Sequence, residues 1–258
     1  METDRSSKSN VERTAQELFL NSFHGDYDDD APWAAVAELR QRNTLDVFRL
    51  AVSYSRSRIP LERARALDVL AQLGGGKSTS ERPYLEESVA IAETCLRDDD
   101  PVVVHSAAWA LSHLGNDQAI SALISLRGHP DPGVRWAVAS GVVGTHRDDA
   151  IRTLIGLMED VDDRVRDWAT FGLGTQFVED SAEIREALRK RLNDTFEDAR
   201  YEAIWGLARR RDKRALRLLL DHLDTDPCSG DEMTAAEILG MDYTTPVDHL
   251  REGLRSLL

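Results

Sequence analysis

Asp162-Asp163-Arg164-Val165-Arg166-Asp167-Trp168-Ala169 decides the reading of this chain, because close copies stand on either side of it. Asp131-Pro132-Gly133-Val134-Arg135-Trp136-Ala137 comes before, and Glu197-Asp198-Ala199-Arg200-Tyr201-Glu202-Ala203 comes after. The anchors Val134, Val165 and Ala199 are 31 and 34 residues apart. Asp100-Pro101-Val102-Val103, with Ala107, Ala108 and Ala110, fits 31 residues upstream of Val134. Glu62-Arg63 fits more loosely before that, and Glu232 with Ala235-Ala236 fits downstream. Self-similarity at a period of roughly 20–50 residues is the mark of a stacked array.

Each unit carries two helical patterns. The first reads Ile151, Leu154, Ile155 and Met158 in one unit and Leu216, Leu219, Leu220 and Leu223 in another, an apolar stripe at i, i+3, i+4 and i+7. The second begins after an Asp or Pro turn and is rich in Ala and Gly, as a helix sandwiched between neighbours requires. Asp100, Asp131 and Asp162 each precede their anchor by three residues, a placement that suits a helix N-cap. No alternating strand pattern of useful length occurs.

The Asp-x-x-x-x-Val-Arg-x-x-Ala-Ala pattern resembles the HEAT family, in the short bacterial form also found in phycobilisome lyase subunits. Asp160 with Val165-Arg166, Asp194 with Ala199-Arg200, and Asp98 with Val103 carry it; His129 and Val104 depart from it, standing where Asp and Arg are expected. The resemblance implies an all-α, right-handed α-α superhelix of about six to seven helix pairs. It also implies that Asp160, Asp194, Arg135, Arg166 and Arg200 form a structural ladder between neighbouring repeats. The expected organisation is a disordered tail over 1–10, an irregular helical cap over 11–43, and a repeat array over 44–258. The array ends in an amphipathic helix from Pro246, read as its cap, with end-to-end dimers a further expectation should its outer face also be apolar.

Net charge is −14, which opposes the phosphate neutralisation that nucleic-acid binding draws on. The densest basic run, Arg209-Arg210-Arg211, ends a helix and suits its dipole. Cys95 and Cys228 have neither metal nor disulfide spacing, and no apolar run approaches a membrane span, so a cytoplasmic protein without metal or cofactor is expected. Gly74-Gly75-Gly76-Lys77-Ser78 lacks the first glycine and the preceding strand of a phosphate loop. In Asp224–Glu232 the turn glycine falls one place late for a calcium loop, and Ala235 replaces its closing glutamate. The seven histidines show neither a His-Glu pair nor an i, i+4 spacing, and no Gly-x-Ser-x-Gly elbow is present.

By resemblance, the helices that start at the anchors line the concave side of the stack. Numbering each anchor zero, places two, six and ten lie one turn apart on a single face. They hold His105, Trp109 and His113; then Trp136, Ser140 and Gly144; then Asp167, Phe171 and Thr175; then Tyr201, Trp205 and Arg209. These rings either fill space between layers or form a groove of aromatic anchors with a polar rim, the composition of protein hot spots. The expected function is a non-enzymatic interaction scaffold, monomeric or weakly dimeric. It would hold a protein or peptide in the groove, with a basic segment suiting the acidic balance. The alternative is an enzyme or lyase subunit on the same scaffold. Chromophore lyases are one precedent; alkylpurine DNA glycosylases are another, with Trp136, Asp167 and Trp168 offering the residue types and the net charge arguing against them.

Overall fold

The computed structural model describes residues 13–25, 29–74, 82–115, 117–225 and 227–258. The expected tail at 1–10, Gly75 to Ser78 of the glycine loop, Asp28 and Asp226 lie outside the described residues. The described residues form helices joined by turns and short loops, with no strand among them. They fall into two compact units, Met1–Ala119 and Ile120–Leu258. The first unit contains α1 (Ala15–Ser22), α2 (Asp30–Arg42), α3 (Leu45–Tyr54), α4 (Pro60–Ala71), α5 (Leu85–Cys95) and α6 (Pro101–Leu114). Helix α7 (Asp117–Ser125) spans the boundary. The second unit continues with α8 (Pro132–Val142), α9 (Asp148–Leu157), α10 (Asp163–Phe171), a π-helical turn (Gly172–Gln176), α11 (Ala182–Arg191), α12 (Glu197–Arg209), α13 (Lys213–Thr225), α14 (Ser229–Leu239) and α15 (Val247–Arg255).

The turn chemistry sets where the second helix of each pair begins. Asp100 accepts the amide of Val102, Asp131 that of Val134, and Asp162 those of Arg164 and Val165. Each bond satisfies donors that the first helical turn leaves open. Pro101 and Pro132 stand at the first helical position, where no amide is needed.

In the first unit, α4 packs on α2, α3, α5 and α6. All eight residues from Ala64 to Ala71 are buried as a result, Arg65 and Asp68 included. Arg65 stays satisfied because it donates to the carbonyl of Ser22 and lies over the Trp33 ring at 4.7 Å. A cation facing an aromatic ring in a dry site recovers part of its lost hydration.

In the second unit, α8, α10, α12 and α14 pack in series, with α9, α11 and α13 beside them. Small residues permit this: Ala137, Ala139, Ala169, Ala199, Ala203, Ala235 and Ala236 are all fully buried. The tightest crossing is between Gly174 and Gly206, where a Cβ on Gly206 would stand 2.5 Å from the Gly174 Cα. At the end of the chain α15 buries Leu250 and Leu254, while its outer side shows Asp248, His249, Glu252 and Arg255 to solvent. That side of α15 is polar, and Leu257 just after it is exposed.

No helix among the described residues is long and apolar enough to cross a membrane. Gly206→Ala is expected to lower stability by about 1–3 kcal/mol through overpacking, read as a lower urea midpoint at unchanged slope. An unchanged midpoint would mean that the crossing has slack.

Candidate functional site

The ladder comes first, because it joins one helix pair to the next. Arg135 donates through Nε to Asp160 at 2.7 Å and through Nη2 at 2.8 Å. Arg166 does the same with Asp194, at 3.0 and 2.9 Å. In each case the remaining Nη1 turns back to the carbonyl six residues earlier, His129 for Arg135 and Asp160 for Arg166. Asp160 and Asp194 also accept the amides of Asp162 and Phe196 in their own turns. One guanidinium therefore joins its own turn to the turn of the next repeat, in the bidentate form that such pairs favour. Arg200 holds its own turn through the carbonyls of Asp194 and Thr195 and lies 3.6 Å from Glu197.

A further rung, Arg63 to Asp98 at 2.8 and 2.7 Å, was hidden from the sequence comparison by the looseness of the Glu62-Arg63 match. At His129 the ring Nδ1 accepts the Asp131 amide at 3.1 Å, the task that Asp performs in the other turns. Burial raises the pKa of Asp160 and Asp194, but the arginine bonds, turn amides and neighbouring guanidinium charges outweigh it and leave both low.

The stripe on the anchor helices is half-buried at every position that sequence analysis selected as binding, neither sealed nor free. In the first unit Trp109 packs on His113 with ring centroids 4.2 Å apart, and burial lowers the His113 pKa. His105 is half-buried one turn before Trp109 on α6. In the second unit Trp136 meets Trp168 edge-on at 5.2 Å, and Trp168 meets Phe171 edge-on at 5.4 Å. Tyr201 stacks on Trp205 at 5.8 Å. Arg209 is engaged with Glu237 at 2.8 Å. Gly144 lies beyond the end of α8, and Thr175 lies on the π-helical turn, so place ten is not helical in those two repeats.

Two half-buried carboxylates stand on the same helices, Asp167 next to Trp168 and Glu202 next to Tyr201 in the chain. Burial, with the charges of Asp198 and Asp194, pushes Asp167 up to about 6. Burial pushes Glu202 up to about 7; a hydrogen bond from Thr175 at 3.0 Å opposes the rise, Asp167 and Asp198 add to it, and Arg209 offsets part. The π-helical turn brings Thr175 to Glu202. It closes with the Phe177 amide on the Gly172 carbonyl, and buried Arg210 donates to the carbonyls of Leu173, Gly174, Phe177, Glu179 and Gly206. Single π turns are frequent at functional sites, and carboxylates shifted by burial and neighbouring charge carry the same implication.

Glu202 and Trp168 occupy place three after their anchors, one beyond the stripe. The change along place three from Ser106 and Ala137 to Trp168 and Glu202 was the available signal. Trp205 has a second role, since its Nε1 donates at 2.8 Å to Asp231, a carboxylate with no exposed surface. Cys228 also donates to Asp231 through its amide, and His222 lies 3.4 Å away. No group of three or more His, Cys, Asp or Glu side chains among the described residues could hold a metal ion.

A fold of stacked helix pairs joined by Arg–Asp rungs is that of a helical repeat protein, and the family model for HEAT repeats matches residues 89–174, 153–240 and 185–256. The chain belongs to the HEAT-repeat family. It is similar to protein YibA of Escherichia coli (strain K12), 36% identical over 114 residues, which are 44% of this chain. The chain spans 40% of the length of that relative in this match. The crystal structure of E. coli YibA is similar in fold, with a TM-score of 0.73 and 23% identity over 95% of this chain and 91% of that one. A designed armadillo repeat protein in complex with the peptide (KR)4 aligns with a TM-score of 0.50 and 14% identity, over 76% of this chain and 99% of its own.

Two outcomes test these assignments. Asp194→Ala leaves Arg166 and Arg191 without a shared, nearly buried partner and is expected to cost about 3 kcal/mol by urea unfolding. Because the folded pKa of Asp194 is depressed, its contribution is complete above the unfolded value and is lost as pH falls below about 4. The gap between wild type and variant should therefore narrow in acid; a gap independent of pH would remove the rung from the argument. Trp205→Phe deprives buried Asp231 of a donor and is expected to destabilise by about 1–3 kcal/mol.

Proposed function

We propose that this protein is a non-enzymatic interaction scaffold whose α8–α10–α12 face takes a basic segment of a protein partner. The supporting observation is a pair of half-buried carboxylates on the anchor helices, Asp167 next to Trp168 and Glu202 next to Tyr201 in the chain, where burial makes their negative charge costly until a cation arrives. A lysine or arginine side chain laid there would meet carboxylates and the faces of Trp and Tyr rings together, and both attract cations. The net charge of −14 adds a longer-range pull on a basic partner. Solenoid repeats offer extended surfaces of this kind without any chemistry. The designed armadillo repeat protein, alike in fold alone, is in complex with a peptide of alternating Lys and Arg, a ligand of the proposed class.

The sign of the pH dependence follows from the raised pKa values. Below about 6 both carboxylates are protonated and neutral; between about 6 and 8 they ionise and a cationic ligand gains. Labelled (Lys-Arg)4 is therefore expected to bind more tightly at pH 8 than at pH 5.5, as read by fluorescence anisotropy, and to weaken with added salt. Asp167→Asn with Glu202→Gln should remove most of that pH dependence while leaving the protein folded. Equal affinity at both pH values, or the same profile in the double variant, would show that this face is not where basic segments bind.

A further inference from the structure

Among the described residues, grooves open beside the Arg–Asp rungs within each unit, and they differ. The one lined by Arg63, Arg97 and Asp98 to Asp100 encloses about 590 Å³, and the one lined by Arg166, Lys190, Arg191 and Asp194 about 350 Å³. The groove bordered by α7 and α9 encloses about 930 Å³, and its whole lining falls within Ile120–Leu258. That size is at the upper end of the roughly 300–1,000 Å³ typical of ligand pockets. Gly128 and Gly156 keep it open, since a Cβ at either position would have nothing within 4 Å. Its apolar lining includes Ile124, Leu157 and the exposed Val161, which shows 91% of its surface.

Most of the charges around this groove are already matched. Asp160 is held by Arg135, Asp149 by Arg147 at 2.8 Å, and Glu159 by Lys190 and Arg191 at 3.4 and 3.1 Å. Two cations remain. Arg127 is exposed and makes a single bond, to the carbonyl of Ile124 in its own turn. Arg152 is exposed and has no hydrogen bond or ion pair among the described residues. His129 adds a donor: its Nδ1 accepts the Asp131 amide, so the ring proton sits on Nε2. In the turns of the other rungs an Asp occupies this place and brings a negative charge. The α7–α9 groove, whose lining holds three arginines and three carboxylates, thus combines apolar side chains with two exposed arginines, Arg127 and Arg152, that no carboxylate among the described residues pairs.

We propose that the α7–α9 groove is a second docking surface, which takes a partner segment carrying a carboxylate beside an apolar side chain. The apolar side chain would lie between Ile124 and Leu157, over Gly156, with the carboxylate reaching Arg127 and Arg152. This assignment is separate from the basic-peptide face and stands or falls without it.

The probe is an eight-residue labelled peptide of alternating Leu and Glu, followed by anisotropy with the full chain, with alternating Leu and Lys as its counterpart. The Glu peptide is expected to bind and the Lys peptide to bind at least about tenfold more weakly. Gly156→Leu fills the groove at an open position and also favours helix, so its melting temperature should hold or rise while Glu-peptide affinity drops by about tenfold or more. Arg127→Ala with Arg152→Ala alters only exposed side chains and should weaken the same peptide to a similar degree. Both variants should bind (Lys-Arg)4 as wild type does. Absence of Glu-peptide binding to wild type overturns the proposal, as does undiminished binding by the double arginine variant.

Discussion

A guanidinium shared between two turns is the interaction on which the rest of this structure depends. A helix pair cannot bury both of its faces alone, so each repeat must be held in register with the next. Arg135 and Arg166 supply that register by gripping a carbonyl of their own turn and a carboxylate of the following one. Neither half of the arrangement is worth much in isolation: the carbonyl bond is local, and a carboxylate taken out of water is costly unless paired. The recipient Asp completes the arrangement by accepting an amide of its own turn, which ties the rung to the start of the next anchor helix.

The exception at His129 shows which part of that device is separable. The residue there must still accept the amide two places on, and an imidazole nitrogen does this as well as a carboxylate oxygen. The other departure from the family pattern is Val104, which stands where an arginine is expected and carries no charge to match.

Small residues and one irregular turn then shape the surroundings of the aromatic stripe. Gly174 and Gly206 let two backbones meet, and the π-helical turn next to them displaces Thr175 towards Glu202. Arg210 holds the irregular segment through five carbonyls with no carboxylate in the set, a use of arginine as a rigid multiple donor. Around this point the rings of Trp136, Trp168, Phe171, Tyr201 and Trp205 stay half-covered. Trp205 shows why the core and groove readings of the stripe were too sharply opposed. Its indole nitrogen anchors buried Asp231 while its ring stacks on Tyr201 beside the groove.

Period, helix pairing and N-caps were legible in the sequence, because each depends on residues close together in the chain or on a spacing that repeats. Val134-Arg135 and Val165-Arg166 stood out by recurrence, and the family resemblance implied their rung role, whereas the Arg63–Asp98 rung was missed and Arg200 bonds within its own turn. The elevated carboxylates were not legible. Glu202 looks like an ordinary helical glutamate, and only the approach of α10, the π turn and Asp167 raises its pKa, since the cost of a charge depends on how much water its neighbours exclude. The α7–α9 groove was invisible for a related reason: an empty space belongs to no residue, and Gly156 reads as a helix weakness until the helices around it are in place. The sequence by itself determined which segments coil and how they repeat, through local propensity and periodic burial. Only the tertiary structure decided which charges are matched and which remain available, because that depends on distances between segments some thirty residues apart.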